Sequence, residues 1–168
     1  MKTRLDSRPL ITAGFVLGVG MGAFVDGILC HQILQIHQML SNIMFPDTLV
    51  KVDINMFWDG LFDAFAWTMT LIGIVLLWKA AKNVNVPNLT QVLVGAMLTG
   101  MGAFNLIEGV IDHHILQLHH VVQRAASPAQ LYWDLAFLAS GIVLLCAGSY
   151  VIRRSLKSEA YAQHPGNC

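Results

Sequence analysis

Apolar residues along the chain gather into four long runs, roughly 10–30, 57–78, 89–111 and 131–152, separated by shorter polar segments. Each run reaches the ~20 residues that an α-helix needs to cross a bilayer. The pattern predicts an all-α integral membrane protein, a four-helix bundle in which residues 1–168 form a single transmembrane domain. Glycines recur in the first and third runs, among them Gly14, Gly18, Gly20, Gly22, Gly95, Gly100, Gly102 and Gly109. In soluble helices they would be costly, whereas in a membrane small residues let helices approach closely. Ser127-Pro128-Ala129-Gln130 reads as a helix start, with an N-cap, a proline at the first helical position and a capping partner. Asn88-Leu89-Thr90-Gln91 is a weaker start of the same kind. Trp58 and Trp78 bracket the second run, where interfacial aromatic belts are expected.

Composition strengthens the membrane reading. Hydrophobic residues make up 55% and charged residues 12%, with a mean hydropathy of +0.59. Soluble domains carry about 25% charged residues, so four soluble helices of this kind would have nothing to cover them. The formal net charge is zero, which argues against nucleic acid as a partner, since that calls for a basic stripe. The expected partner is the lipid bilayer; the sequence names no protein partner and leaves homo-oligomerisation open. Cys30, Cys146 and Cys168 have no pairing pattern and no disulfide framework is expected. The basic start before the first run resembles a signal peptide, but no small-x-small cleavage site follows it.

Charge also orients the spans. Lys2, Arg4 and Arg8 precede the first, Lys79 and Lys82 lie between the second and third, and Arg153, Arg154 and Lys157 follow the fourth. The other two loops hold only Lys51 and Arg124. By the positive-inside rule both termini are cytoplasmic, 153–168 is a polar cytoplasmic tail, and the loops after spans one and three face outward. In a bacterium this is the inner (cytoplasmic) membrane.

The two halves echo one another. Gly20-Met21-Gly22-Ala23-Phe24 returns as Gly100-Met101-Gly102-Ala103-Phe104. Asp26-Gly27 with His31-Gln32-Ile33-Leu34-Gln35-Ile36-His37 returns as Glu108-Gly109 with His113-His114-Ile115-Leu116-Gln117-Leu118-His119. Trp58-Asp59 and Gly73–Leu77 return as Trp133-Asp134 and Gly141–Leu145. The expected architecture is two tandem helical-hairpin repeats, 10–79 and 88–152, related by an axis along the membrane normal. The offset between copies passes from 80 to 82, which predicts two extra residues and a bulge near Asn105–Ile107.

Six of the seven histidines lie in the matched segments. On α-helical spacing Asp26, Cys30 and His37 share one face of the first helix, and Glu108, Asp112 and His119 the equivalent face of the third. A second face, about 120° away, carries His31, Gln35 and Gln38, matched by His113, Gln117 and His120. Both helices are expected to continue outward past the lipid, with Asp26 about 6 Å inside the hydrocarbon edge. The second and fourth spans, expected to be short, offer Asp59, Asp63 and Asp134 at that level.

Carboxylates near a membrane's edge need partners. Imidazole and carboxylate are the usual ligands of zinc, iron, manganese and copper(II), and facing helices assemble metal sites in bundles. The expected metal ligands are Asp26, His31, His37, Glu108, His113 and His119, with Asp59, Asp63, Asp112, His120 and Asp134 as second-rank candidates. Such a centre suits metal handling or a metal-dependent redox reaction; catalysis would need an open coordination position. Two alternatives compete: a structural network of His, Asp, Glu and Gln that only pins the helices, and haem held between two axial histidines, which leaves the carboxylates without a role. The cytoplasmic halves of the spans are apolar, which counts against a path for ions through the membrane.

Phe24-Val25-Asp26-Gly27, His31-Gln32-Ile33-Leu34-Gln35, Trp58-Asp59-Gly60-Leu61-Phe62, Phe104-Asn105-Leu106-Ile107-Glu108-Gly109 and His113-His114-Ile115-Leu116 resemble a family of small bacterial membrane proteins known as domain of unknown function 2243. The resemblance covers the chain from Gly14 to Gly148. It implies a four-span bacterial membrane protein and supplies no activity. The family pattern implies a histidine where this chain has Asp63; a carboxylate there would make any metal site richer in oxygen.

Overall fold

The computed structural model describes residues 6–82 and 88–163, with side chains to residue 157. Lys2, Arg4, His164 and Cys168 lie outside the described residues. Four long helices account for the fold: α1 (Arg8–Phe24), α2 (Leu49–Ala81), α3 (Leu89–Glu108) and α4 (Ser127–Gln163). Counting the helical segments that continue α1 to Ile33 and α3 to Ile115, all four are long and apolar enough to cross a membrane. The second and fourth spans are not short, since α2 has 33 residues and α4 has 37. At ~1.5 Å per residue both exceed the ~30 Å hydrocarbon core, and α4 takes in the start of the expected polar tail. The side chain of Asn88 makes no cap; the backbone there is left-handed, with φ 56°. Thr48 caps α2 instead, accepting a hydrogen bond from Lys51 N.

The helices stand in the order α2, α1, α3, α4, with α1 and α3 packed together at the centre. Glycine sets that order. A Cβ at Gly18 would strike the Met97 carbonyl, and one at Gly100 the Phe15 carbonyl, so the two backbones cross in contact. Gly20 meets Ala66 and Thr70 of α2, and Gly102 meets Gly141 and Leu145 of α4. Each central helix thus offers bare backbone to two neighbours. Flanking helices α2 and α4 leave most of their apolar surface uncovered, including Phe65, Trp67, Ile74 and Ile142. That suits lipid, which competes with no hydrophobic effect for such surfaces.

These contacts recur in pairs at fixed spacing. Phe15 and Met97, Gly18 and Gly100, and Asp26 and Glu108 play matching parts on α1 and α3, each pair 82 residues apart. Asp59 and Asp134, Phe62 and Phe137, and Gly73 and Gly148 do so on α2 and α4, each pair 75 apart. The two extra residues expected near Asn105–Ile107 have no counterpart, because α3 runs as regular helix through Glu108.

Irregularity comes later, and in both halves. Helix α1 widens into a π-helical segment at Val25–Ile33, and α3 does so at Gly109–Ile115. A π turn closes i→i+5 bonds and is frequently found at functional sites. It brings residues five apart together, so Asp26 and His31 share a face, as do Glu108 and His113. The separation of about 120° expected from α-helical geometry disappears. Neither helix continues outward, either. Gln35 (φ 51°) and Gln117 (φ 49°) take left-handed backbone and turn the chain back. His37 and His119 therefore sit on returning loops rather than on helix faces.

Candidate metal centre

The two returning loops clasp each other. Asn42 N donates to Leu118 O at 2.9 Å, and Gln123 N to Ile36 O at 3.1 Å. His37 Nδ1 donates to Val121 O at 2.9 Å, and His119 Nδ1 to Met39 O at 3.1 Å, so each loop's histidine is held by the other loop's backbone. Loop one is also tied to α2: Leu40 N donates to Oδ1 of the fully buried Asn55, whose amide donates to Met44 O.

Four imidazoles meet at the centre of this arrangement. The His37 and His119 rings stack at 4.6 Å with planes 3° apart. His31 stands edge-on to His37 at 4.5 Å, and His113 edge-on to His119 at 4.7 Å. Asp26 and Glu108 cap the group from below. Asp26 reaches His31 Nε2 at 3.1 Å and His37 Nε2 at 3.7 Å, while Glu108 Oε1 lies 3.1 Å from Nε2 of both His113 and His119. All six side chains are buried. Two sets of three, His31/His37/His119 and Glu108/His113/His119, hold their donor atoms within 4.8 Å of one another.

Every one of the four rings faces an acceptor at both nitrogens. His31 Nδ1 donates to Asp59 Oδ1 at 2.8 Å, and His113 Nδ1 lies 3.7 Å from Asp134 Oδ1. A neutral imidazole can donate only once, so wherever Nδ1–H is committed outward, an Nε2 lone pair faces the central carboxylates. Nε2 of His31, His37 and His113 makes no hydrogen bond, nor do Asp26 Oδ2 and Glu108 Oε2. Either extra protons or metal cations must neutralise this centre. Four imidazoliums against Asp26, Asp59, Glu108 and Asp134 would balance, and so would two divalent cations with neutral rings. The stacked pair weighs against protons: two charges at about 4 Å repel by roughly 4 kcal/mol even at an effective dielectric of 20.

The second-rank residues divide. Asp59 and Asp134 are buried and act from outside the rings, each also accepting from a loop backbone N–H, of Met39 and Val121 respectively. His120 Nδ1 donates to Asp134 Oδ2 at 2.7 Å. Asp63 is turned away and held by the Gln32 side chain. Asp112 is half-buried and lines, with Glu108, Phe15, Phe65 and Phe104, an apolar groove of about 290 Å³. His114 donates back to Gly109 O on its own helix. The Met39 and Val121 carbonyls and Asn55 went unforeseen; backbone acceptors leave no trace in a sequence, though a lone asparagine near a span's polar end is a visible signal.

The family described as "Predicted membrane protein (DUF2243)" matches residues 13–155. The chain belongs to this family. No curated protein and no solved structure matches it. Membership in DUF2243 agrees with four membrane-crossing helices, and the buried His/carboxylate cluster lies within the matched residues.

Proposed function

We propose that this DUF2243 chain is a membrane-embedded metal-binding protein, with Asp26, His31, His37, Glu108, His113 and His119 as ligands of one or two first-row transition ions. The observation that carries the reading is the set of inward Nε2 atoms whose Nδ1 partners are fixed outward. Metal-bound histidines characteristically donate their other ring nitrogen to a carboxylate or carbonyl, which sets tautomer and orientation. Asp59 and the Met39 and Val121 carbonyls fill that part for His31, His119 and His37, while Asp134 stands 3.7 Å from His113 Nδ1, which makes no hydrogen bond. Haem is disfavoured because the rings are in direct contact, leaving no slot for a porphyrin between axial ligands. The test is element analysis of the purified protein beside a His31→Ala/His113→Ala double variant. About one or two equivalents in the wild type and a near-background value in the variant are expected. Equal, near-zero metal in both would leave the structural network instead.

The two hairpins are best read as copies of one unit, since the centre takes a carboxylate and two histidines from each. Placement follows from charge: both termini on the cytoplasmic side of a bacterial inner membrane and the metal centre at the outer face. A reporter fused after Gln38 is expected to read as non-cytoplasmic; a cytoplasmic signal there would reverse the orientation.

A further inference from the structure

The two halves of the centre differ in one respect that their matching contacts bring out. Where the second half has His120, the first has Gln38. His120 occupies Asp134 Oδ2 while Val121 N occupies Oδ1. In the first half both hydrogen bonds fall on Asp59 Oδ1, from His31 Nδ1 and Met39 N. Oδ2 of Asp59 is left without the imidazole that fills its counterpart. A cavity of about 560 Å³ opens at this place, lined by His31, His37, Gln38, Asp59, Gly60 and, at its rim, the exposed Arg124. That volume falls within the range of small-molecule pockets. Gln38 itself lines the cavity, with its amide oxygen buried behind the wall and without a hydrogen bond.

We infer that the first half of the centre is an open ligand-binding site, and the second a closed one. The ligand is a small protic oxygen donor. Its O–H or N–H donates to Asp59 Oδ2 in place of the missing imidazole, and through Asp59 and the His31 ring it bears on a metal held by His31 and His37. Arg124 at the rim suits a second acceptor oxygen on the same molecule. This inference rests on the metal reading and adds exchange with an outside ligand on one side only.

Acetohydroxamic acid, a small protic oxygen chelator, is the probe, and the visible absorption of the Co(II)-loaded full-length protein is the readout. The wild type is expected to show a saturable spectral change with one equivalent of probe while keeping its Co(II). Gln38→His, which installs the residue that closes the other half, is expected to weaken the response at least tenfold at unchanged Co(II) content. Gly60→Leu provides the second variant. A Cβ at Gly60 meets nothing within 4 Å, and leucine is the better helix former, so this chain should fold and fill the cavity from its wall. It too is expected to weaken the response at least tenfold, whereas His120→Gln is expected to gain a second equivalent. Bound Co(II) that ignores the probe, or Gln38→His and Gly60→Leu proteins that respond as the wild type does, would overturn the open site and leave the metal reading standing. A wild type that holds no Co(II) would overturn both.

Discussion

Replacing His119 by alanine is expected to bring metal retention, measured on the purified protein, down to background. His119 belongs to both three-residue sets of candidate ligands, so its removal leaves neither complete. The loss extends beyond one donor atom. His119 Nδ1 also anchors its loop to Met39 O, and the stacked His37 ring loses its neighbour. The expected drop in affinity exceeds the 10–100-fold that changes in outer partners typically cost. Asp59→Asn, which alters the acceptor shared by His31 Nδ1 and Met39 N, is expected to fall inside that 10–100-fold range. His114→Ala should bind as the wild type does, because His114 turns back to Gly109 O. Competition against a chelator of known affinity ranks the three variants. A His119→Ala protein with wild-type affinity would remove the shared centre from consideration.

Valine at Gly18 or Gly100 is expected to do the greatest damage to the fold. The added side chain would enter the space of a backbone carbonyl, Met97 in one case and Phe15 in the other. A flexible side chain could swing aside, but a helix backbone cannot yield without moving the whole helix. Overpacking usually costs about 1–3 kcal/mol, and these two sites belong at or above the top of that range. The candidate metal centre should fail with the fold, since α1 and its continuation carry Asp26 and His31 toward Glu108 and His113 at the end of α3. Thermal unfolding in detergent, with metal content measured in parallel, reads both effects. Gly60→Ala, at a position with open space around it, serves as the comparison. Unchanged melting of Gly18→Val would mean that α1 and α3 do not cross in contact.

The glycines illustrate how far a sequence carries. Their presence in long apolar runs announces close helix contact, yet nothing in the string says which glycine meets which helix. Matching Gly20–Phe24 to Gly100–Phe104 aligns identical letters, whereas the contacts align Gly18 with Gly100 and Gly20 with Gly102. A glycine stripe repeats at short intervals, so it can be matched in more than one register. Packing against a neighbour admits only one.

Hydropathy and charge alone determined four membrane-crossing helices, and the recurrence of acid and imidazole named six side chains that the fold buries together. Chain length and periodicity suffice for that, because a bilayer imposes the same demand on every span. Tertiary structure decided how the six converge. The widened turns at Val25–Ile33 and Gly109–Ile115 put Asp26 over His31 and Glu108 over His113, and the left-handed residues Gln35 and Gln117 return His37 and His119 to the centre. Neither device follows from residue preference. Each holds because the opposite loop supplies the Val121 and Met39 carbonyls that fix the rings, and those partners exist only once both halves have folded against each other.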